Sequence, residues 1–208
     1  MLVLASAGSA DVEQQRTTDL VAAGADAWRS PDPKLWSFKK NSISGRSPEF
    51  GAPRKAPESS AWLLSKQVFG GDIIEVHIDV TFSHGRYLAI YMDYDQAIQT
   101  GIWMATGHPV LEPDPTQHMN VEAAYIKTVE RGNWVVRTEG ELVIKDGVLK
   151  HLIFAKHGDD YSIYDNGRLI ITYRKPGYQG SELQLRIVDA GATITHFEVK
   201  SDWVRDKE

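Results

Sequence analysis

The chain has 208 residues, 42% of them hydrophobic, a formal net charge of −5 and no cysteine. That length suits one large domain, or one domain with an extension, and its apolar content is enough for a sizeable core. The missing thiols exclude disulfides, cysteine nucleophiles and cysteine-ligated zinc, and the negative charge argues against nucleic acid and anionic membrane surfaces as partners.

Residues 1–10, MLVLASAGSA, run from a short apolar stretch into small residues ending at Ala10. The stretch resembles the back half of a secretory signal without its basic start, so it reads as a remnant export signal or an N-terminal tail. The matching expectation is an exported protein, periplasmic or extracellular. No apolar run approaches the ~20 residues of a membrane-spanning helix, so membrane insertion is not expected. Residues 11–60 read as an irregular arm. Asp11 to Ala27 fits a short helix, and Leu35 to Ile43 fits an edge strand. Prolines at 31, 33, 48, 53 and 57 break anything longer. Trp28, Trp36, Phe38 and Phe50 imply that the arm packs onto the main body.

From residue 61 to 208 strand patterns follow one another. AWLLSKQVF leads through Gly70-Gly71 into DIIEVHIDVTF, where Ile74, Val76, Ile78 and Val80 alternate with Glu75, His77, Asp79 and Thr81. A period of two marks a strand with one apolar and one polar face. SHGR turns into YLAIYMDYD, and GIWMAT, AAYIKTVE, WVVRTEGELVI and LKHLIFAKH follow. YSIYDNGRLIITY holds Asn166-Gly167, the strongest hairpin signal in the chain. ELQLRIVDA and TITHFEVKSDW close it. No fixed repeat is visible, which argues against a propeller or solenoid. Many short strands with glycine-rich turns point to an antiparallel sandwich or barrel. One connection, Gly107 to Asn120, is long and holds three prolines, and loops of that length are usually functional or mobile.

The run Leu63, Leu64, Ser65, Lys66, Phe69 and Asp72, followed by an alternating strand and GRYLAIYM, resembles the opening of concanavalin A-like jelly rolls. More narrowly it is similar to the bacterial 3-keto-disaccharide hydrolase family, long known as a domain of unknown function. YSIYDNGRLIITY resembles a hairpin of laminin G-like domains, and TITHFEVKSDW resembles the closing strand that pairs beside the first. Over residues 61–203 the resemblance implies an all-β, two-sheet antiparallel jelly-roll sandwich carrying an irregular N-terminal extension. It also implies a saccharide ligand held by aromatic platforms and polar side chains. The E-x-D-x-x-E motif of jelly-roll glucanases and the R-x-E-L-R strand of jelly-roll alginate lyases are absent.

The polar side of DIIEVHIDVTF is the first candidate site. Glu75 and Asp79 stand about 13 Å apart along the strand, beyond the about 5–9.5 Å of a glycosidase carboxylate pair. His77 lies about 6.6 Å from each. A hairpin through residues 83–86 would set Tyr91 beside His77 and Asp93 beside Glu75. Glu75, His77, Asp79 and Asp93 are therefore the candidate catalytic residues. The alternative for the same row is a solvated sheet face with cross-strand polar pairs. Tyr91, Trp103, Tyr125, Lys127 and Arg186 are candidate substrate-binding residues: aromatics suit the apolar face of a pyranose, and a Lys or Arg suits a uronate or sulfate. Gln184 shares the alternation of Arg186.

His108, Glu112, Asp114 and His118 in the long connection are metal-competent in type, but their spacing matches no metal signature. No cofactor is expected beyond a structural calcium at turn carboxylates such as Asp159, Asp160 and Asp165. No phosphate loop, nucleophile elbow or HExxH helix is present. The leading expectation is a glycan hydrolase or lyase acting on an oligo- or polysaccharide. The alternatives are a non-catalytic, lectin-like carbohydrate-binding module and a structural or assembly domain. The oligomeric state stays open.

Overall fold

The computed structural model describes residues 15–47, 60–95, 100–107, 122–130, 133–177, 180–188 and 190–207. Along the arm lie β1 (Arg16–Asp19), β2 (Trp28–Arg29), β3 (Trp36–Lys39) and β4 (Ser42–Arg46). The main body holds β5 (Ser60–His84), β6 (Tyr87–Asp95), β7 (Thr100–Thr106), β8 (Ala123–Glu130), β9 (Asn133–Glu141) and β10 (Leu149–His157). It is completed by β11 (Asp160–Asp165), β12 (Arg168–Arg174), β13 (Gly180–Val188) and β14 (Gly191–Asp206). Two 3-10 turns, Gly24–Ala27 and Pro33–Leu35, are the helical pieces among the described residues.

AWLLSKQVF and DIIEVHIDVTF, expected as two strands, form one 25-residue strand, β5. Its first half pairs with β13 and its second half with β10, while β14 follows it from Gly191 opposite His84 to Asp206 opposite Gln67. The strand bends instead of ending because of what meets at its middle. Gly71 has φ 120°, a conformation that side-chain-bearing residues rarely adopt. Opposite it, β14 is bulged, and the Asp202 carboxylate accepts the N–H groups of Asp72 and Ile73 at 2.6 and 3.1 Å. The backbone donors that the bend takes out of the ladder stay satisfied.

Because β5 bends, two layers share it. The front layer runs β5-β13-β6-β7-β8-β9; the back layer runs β12-β11-β10-β5-β14, with β1 and the β3–β4 hairpin added on β14. All pairings are antiparallel. Ile74, Val76, Ile78 and Val80 of the back layer and Leu88, Ile90 and Met104 of the front layer belong to one buried cluster. Their removal from water drives the layers together at ~25 cal/mol per Å².

The arm is only partly irregular. Where a helix fits Asp11 to Ala27 by sequence, the described part holds β1 and a 3-10 turn, and where one edge strand was expected there is a hairpin. Trp28 and Trp36 are buried in the main core, Trp28 against Phe197 with ring centroids 5.3 Å apart. Asn166 and Gly167 turn the β11–β12 hairpin with φ of 50° and 78°, the positive pair that a primed two-residue turn requires. Residues 1–10, Phe50, and His108, Glu112, Asp114 and His118 lie outside the described residues.

Candidate functional site

The hairpin that would join Tyr91 to His77 and Asp93 to Glu75 does not form. After His84 the chain crosses to the other layer, so β6 pairs with β13 and β7, while Glu75, His77 and Asp79 have β10 and β14 as neighbours. The four candidate catalytic residues are therefore split. Glu75, His77 and Asp79 share the outer face of the back layer, and Asp93 is buried.

On that outer face the acids and histidines satisfy one another. Glu75 bonds His77 Nε2 and His157 Nε2, both at 2.8 Å, and Asp79 bonds His151 Nδ1 at 2.6 Å. His196 stands opposite Asp79 on β14, and a shallow depression of about 520 Å³ lies among His77, Asp79, His151 and His196. Burial raises the Glu75 pKa, but the hydrogen bonds and charges of His77 and His157 outweigh it and hold the carboxyl below 4.5. Among the described residues no group of three or more His, Asp or Glu is placed to hold a metal ion. Asp165 pairs with Lys150 at 2.8 Å and Asp159 with Arg174 at 3.4 Å.

Asp93 is 5% exposed, with φ 52°, beside an irregularity in the β6–β7 pairing. Its carboxylate accepts from the Tyr161 hydroxyl at 2.6 Å and the Gly180 N–H at 2.7 Å. Tyr161 lies on β11, so the bond ties one layer to the other. Burial raises the Asp93 pKa, opposed by Tyr161, Gly180 and the Lys156 charge. These contacts describe a structural clamp.

The five candidate binding residues share the opposite outer surface, that of the front layer. Directly opposed residues of antiparallel strands lie on one face, so the register can be read across six strands. One row runs Trp62, Arg186, Ala89, Ala105, Tyr125, Glu139; the next runs Leu64, Gln184, Tyr91, Trp103, Lys127, Val136. Tyr91 stacks on Trp103, with centroids 5.0 Å apart and planes at 17°, and Tyr87 meets the same indole edge-on at 5.7 Å. The Lys127 ammonium lies 4.8 Å from the Trp103 ring centre, a contact worth ~0.5–2 kcal/mol. Arg186 donates to the Tyr91 hydroxyl at 2.9 Å, with its guanidinium 5.9 Å from the Trp103 ring.

Trp103 is only 8% exposed, so it is the centre of a wall and not a bare platform. The more open part of the face is Trp62, Leu64, Gln184 and Arg186, all half-buried, and the exposed Glu139 at the β9 edge. The middle of the face is buried: Ala89, Ala105 and Tyr125 are 0% exposed, Tyr91 2% and Lys127 7%. The Tyr87 hydroxyl is buried and has no hydrogen-bond partner among the described residues, which costs ~1–3 kcal/mol. Burial pushes its phenol well above the usual range, Tyr91 adds to this, and Arg186 opposes it.

Solved structures share this architecture. A carbohydrate-binding module, CBM66 from Bacillus subtilis, matches with a TM-score of 0.60 at 18% identity, over 83% of this chain and 94% of that one. A β-1,3-1,4-glucanase (lichenase) derived from a mouse hindgut metagenome matches with a TM-score of 0.63 at 9% identity, over 91% and 100%. The VIP36 exoplasmic/lumenal domain in its Ca²⁺/Man3GlcNAc-bound form matches with a TM-score of 0.61 at 9% identity, over 87% and 86%. The fold is a concanavalin A-like jelly roll. No family model and no curated protein matches the chain, and at these identities the fold is what is shared. In this jelly roll, sequence reasoning did not single out Trp62, Glu139 or Glu141. AWLL is apolar on both sides, so alternation could not say that Trp62 faces outward, and only the register puts Glu139 opposite Tyr125 and Glu141 opposite Ala123.

Proposed function

We propose that the chain binds a saccharide across the outer face of the front layer, with Trp62, Gln184 and Arg186 as contacts and the Tyr91–Trp103–Lys127 stack behind them. The observation that carries this is the pair of cross-strand rows, which set the half-buried Trp62, Leu64, Gln184 and Arg186 side by side next to the stacked Tyr91 and Trp103. Apolar ring faces and hydroxyl edges are what such a surface complements. Carbohydrate-binding and carbohydrate-cleaving proteins of the same fold support the reading. Binding to a glycan array and titration calorimetry test it. Saturable binding that Trp62→Ala weakens about two- to tenfold is expected, on the ~0.5–1.5 kcal/mol scale of aromatic contacts. Absence of binding to every glycan sinks it.

A second reading, cleavage of the bound glycan, is favoured by one feature. Glu139 and Glu141 alternate on the face of β9 that carries on from Tyr125, and two residues of strand separate them by about 6.7 Å. That falls in the about 5–9.5 Å range of glycosidase carboxylate pairs. On this reading Glu139→Gln abolishes release of reducing ends while binding persists; a binding module releases none with either residue.

A further inference from the structure

We infer that Asn166 is a site of spontaneous covalent modification, deamidation through a cyclic imide formed with Gly167, and that the change loosens the β11–β12 hairpin where it borders the histidine depression. Of the asparagines in the chain, Asn166 alone precedes a glycine; Asn41, Asn120 and Asn133 precede Ser42, Val121 and Trp134. The reaction brings the backbone nitrogen of the next residue onto the carbon of the asparagine side-chain amide, and a β-carbon on that residue stands in its way. Gly167 has none, and among the described residues nothing lies within 4 Å of where one would stand. Both residues are exposed at the tip of a two-residue turn, so base and water reach them. The site is on the back layer and is independent of any ligand on the front one.

The Gly167 nitrogen gives its proton to base and bonds to Asn166 Cγ. The Cγ–Nδ2 bond breaks and ammonia leaves with a proton. Water then adds to one of the two ring carbonyls and opens its bond to nitrogen, giving aspartate or isoaspartate, whose backbone runs through the side chain. Nothing is oxidised or reduced. In the unmodified chain Asn166 Nδ2 donates to one Asp165 oxygen at 2.9 Å, while Lys150 donates to the other at 2.8 Å. An aspartate at 166 replaces that donor with an acceptor-only anion and sets two carboxylates side by side. Isoaspartate lengthens the backbone of a turn whose φ values, 50° and 78°, fit two ordinary residues. Both products work against the bond from the Asn166 N–H to the His151 carbonyl, 2.8 Å, which seats the tip on β10 beside His77, Asp79 and His196.

The test incubates the intact folded chain at mildly alkaline pH and follows the tryptic peptide from His157 to Arg168 by mass, with fragmentation to place the change. The shift from amide to acid is expected at Asn166, accumulating severalfold faster than at Asn41 and dividing into aspartate and isoaspartate forms. Gly167→Ala is expected to slow it severalfold. Asn166→Asp stands for the aspartate product without incubation, and its backbone amides at the hairpin tip are expected to exchange hydrogen severalfold faster than the parent's. The mass measurement on the unaltered chain holds even if a variant misfolds. Asn166 that stays an amide in the folded chain overturns the inference, and its conversion in urea alone would show that the turn protects it. A mass shift without isoaspartate overturns the imide route. Unchanged exchange in Asn166→Asp and in the incubated chain overturns the loosening.

Discussion

Tyr91 lies nearly flat on Trp103, 5.0 Å between ring centres, and Lys127 meets the same indole from the next strand on the other side. Trp103 therefore holds up the proposed binding face more than it offers a free surface. Trp103→Ala is expected to cost ~3–5 kcal/mol of stability and to abolish saccharide binding with it. Trp62→Ala, at the open end of the adjacent row, should cost much less stability while still weakening binding. Urea unfolding midpoints and calorimetric titrations of both variants check the contrast.

The histidine–carboxylate face of the back layer lies on the other side of the sandwich from these aromatics. Glu75→Gln and His77→Ala are expected to leave saccharide affinity within about twofold of the parent, on the independence of well-separated sites. A large loss of affinity in either variant would place the ligand on the wrong face of the structure.

Glu75 also has a pH signature. Its folded pKa is below 4.5, so its contribution to stability is present above 4.5 and is lost as pH falls through the depressed value. The side chain is part-exposed, so the contribution should be ~0.2–1 kcal/mol. Unfolding free energies of the parent and Glu75→Gln should differ at pH 6 to 7 and converge in strong acid.

Asp93 has the opposite sign. Its folded pKa is raised above 3.8, so protonation of its carboxyl favours folding, fully below that value, and this advantage is lost as pH rises through the raised one. Measured against Asp93→Asn, the parent should lose relative stability across that rise. Asparagine tolerates the positive φ at this position, but its amide offers only one acceptor oxygen to Tyr161 and Gly180. Asp93→Ala leaves both donors unmet in a buried site, at ~2–4 kcal/mol, read from chemical denaturation.

Two glycines separate local strain from collision. Gly167→Ala puts a side chain at φ 78° in open space, costing ~1 kcal/mol. Gly71→Ala adds the same kind of strain and drives a methyl into the Asp202 side chain, so it should be distinctly worse. Thermal unfolding of the two variants ranks them.

Alternation along the sequence determined the strand character of the chain. It also determined the two-sidedness of each strand and the turn at Asn166-Gly167, because those depend on φ, ψ and side-chain direction a few residues apart. For the same reason Tyr91, Tyr125, Lys127 and Arg186 could be read onto the polar side of their strands, while Trp103 read equally well as core. Which strands lie side by side is not a local property. The bend at Gly71, stabilised by Asp202 some 130 positions later in the chain, sends β5 through both layers. The crossing after His84 then puts β6 beside β13 and not beside β5. Those two long-range events gathered the five candidate residues on one face and joined Trp62 and Glu139 to them. They also carried Glu75, His77 and Asp79 to the far side of the molecule, since pairing partners are chosen by burying both layers' apolar faces at once, and no single strand encodes that.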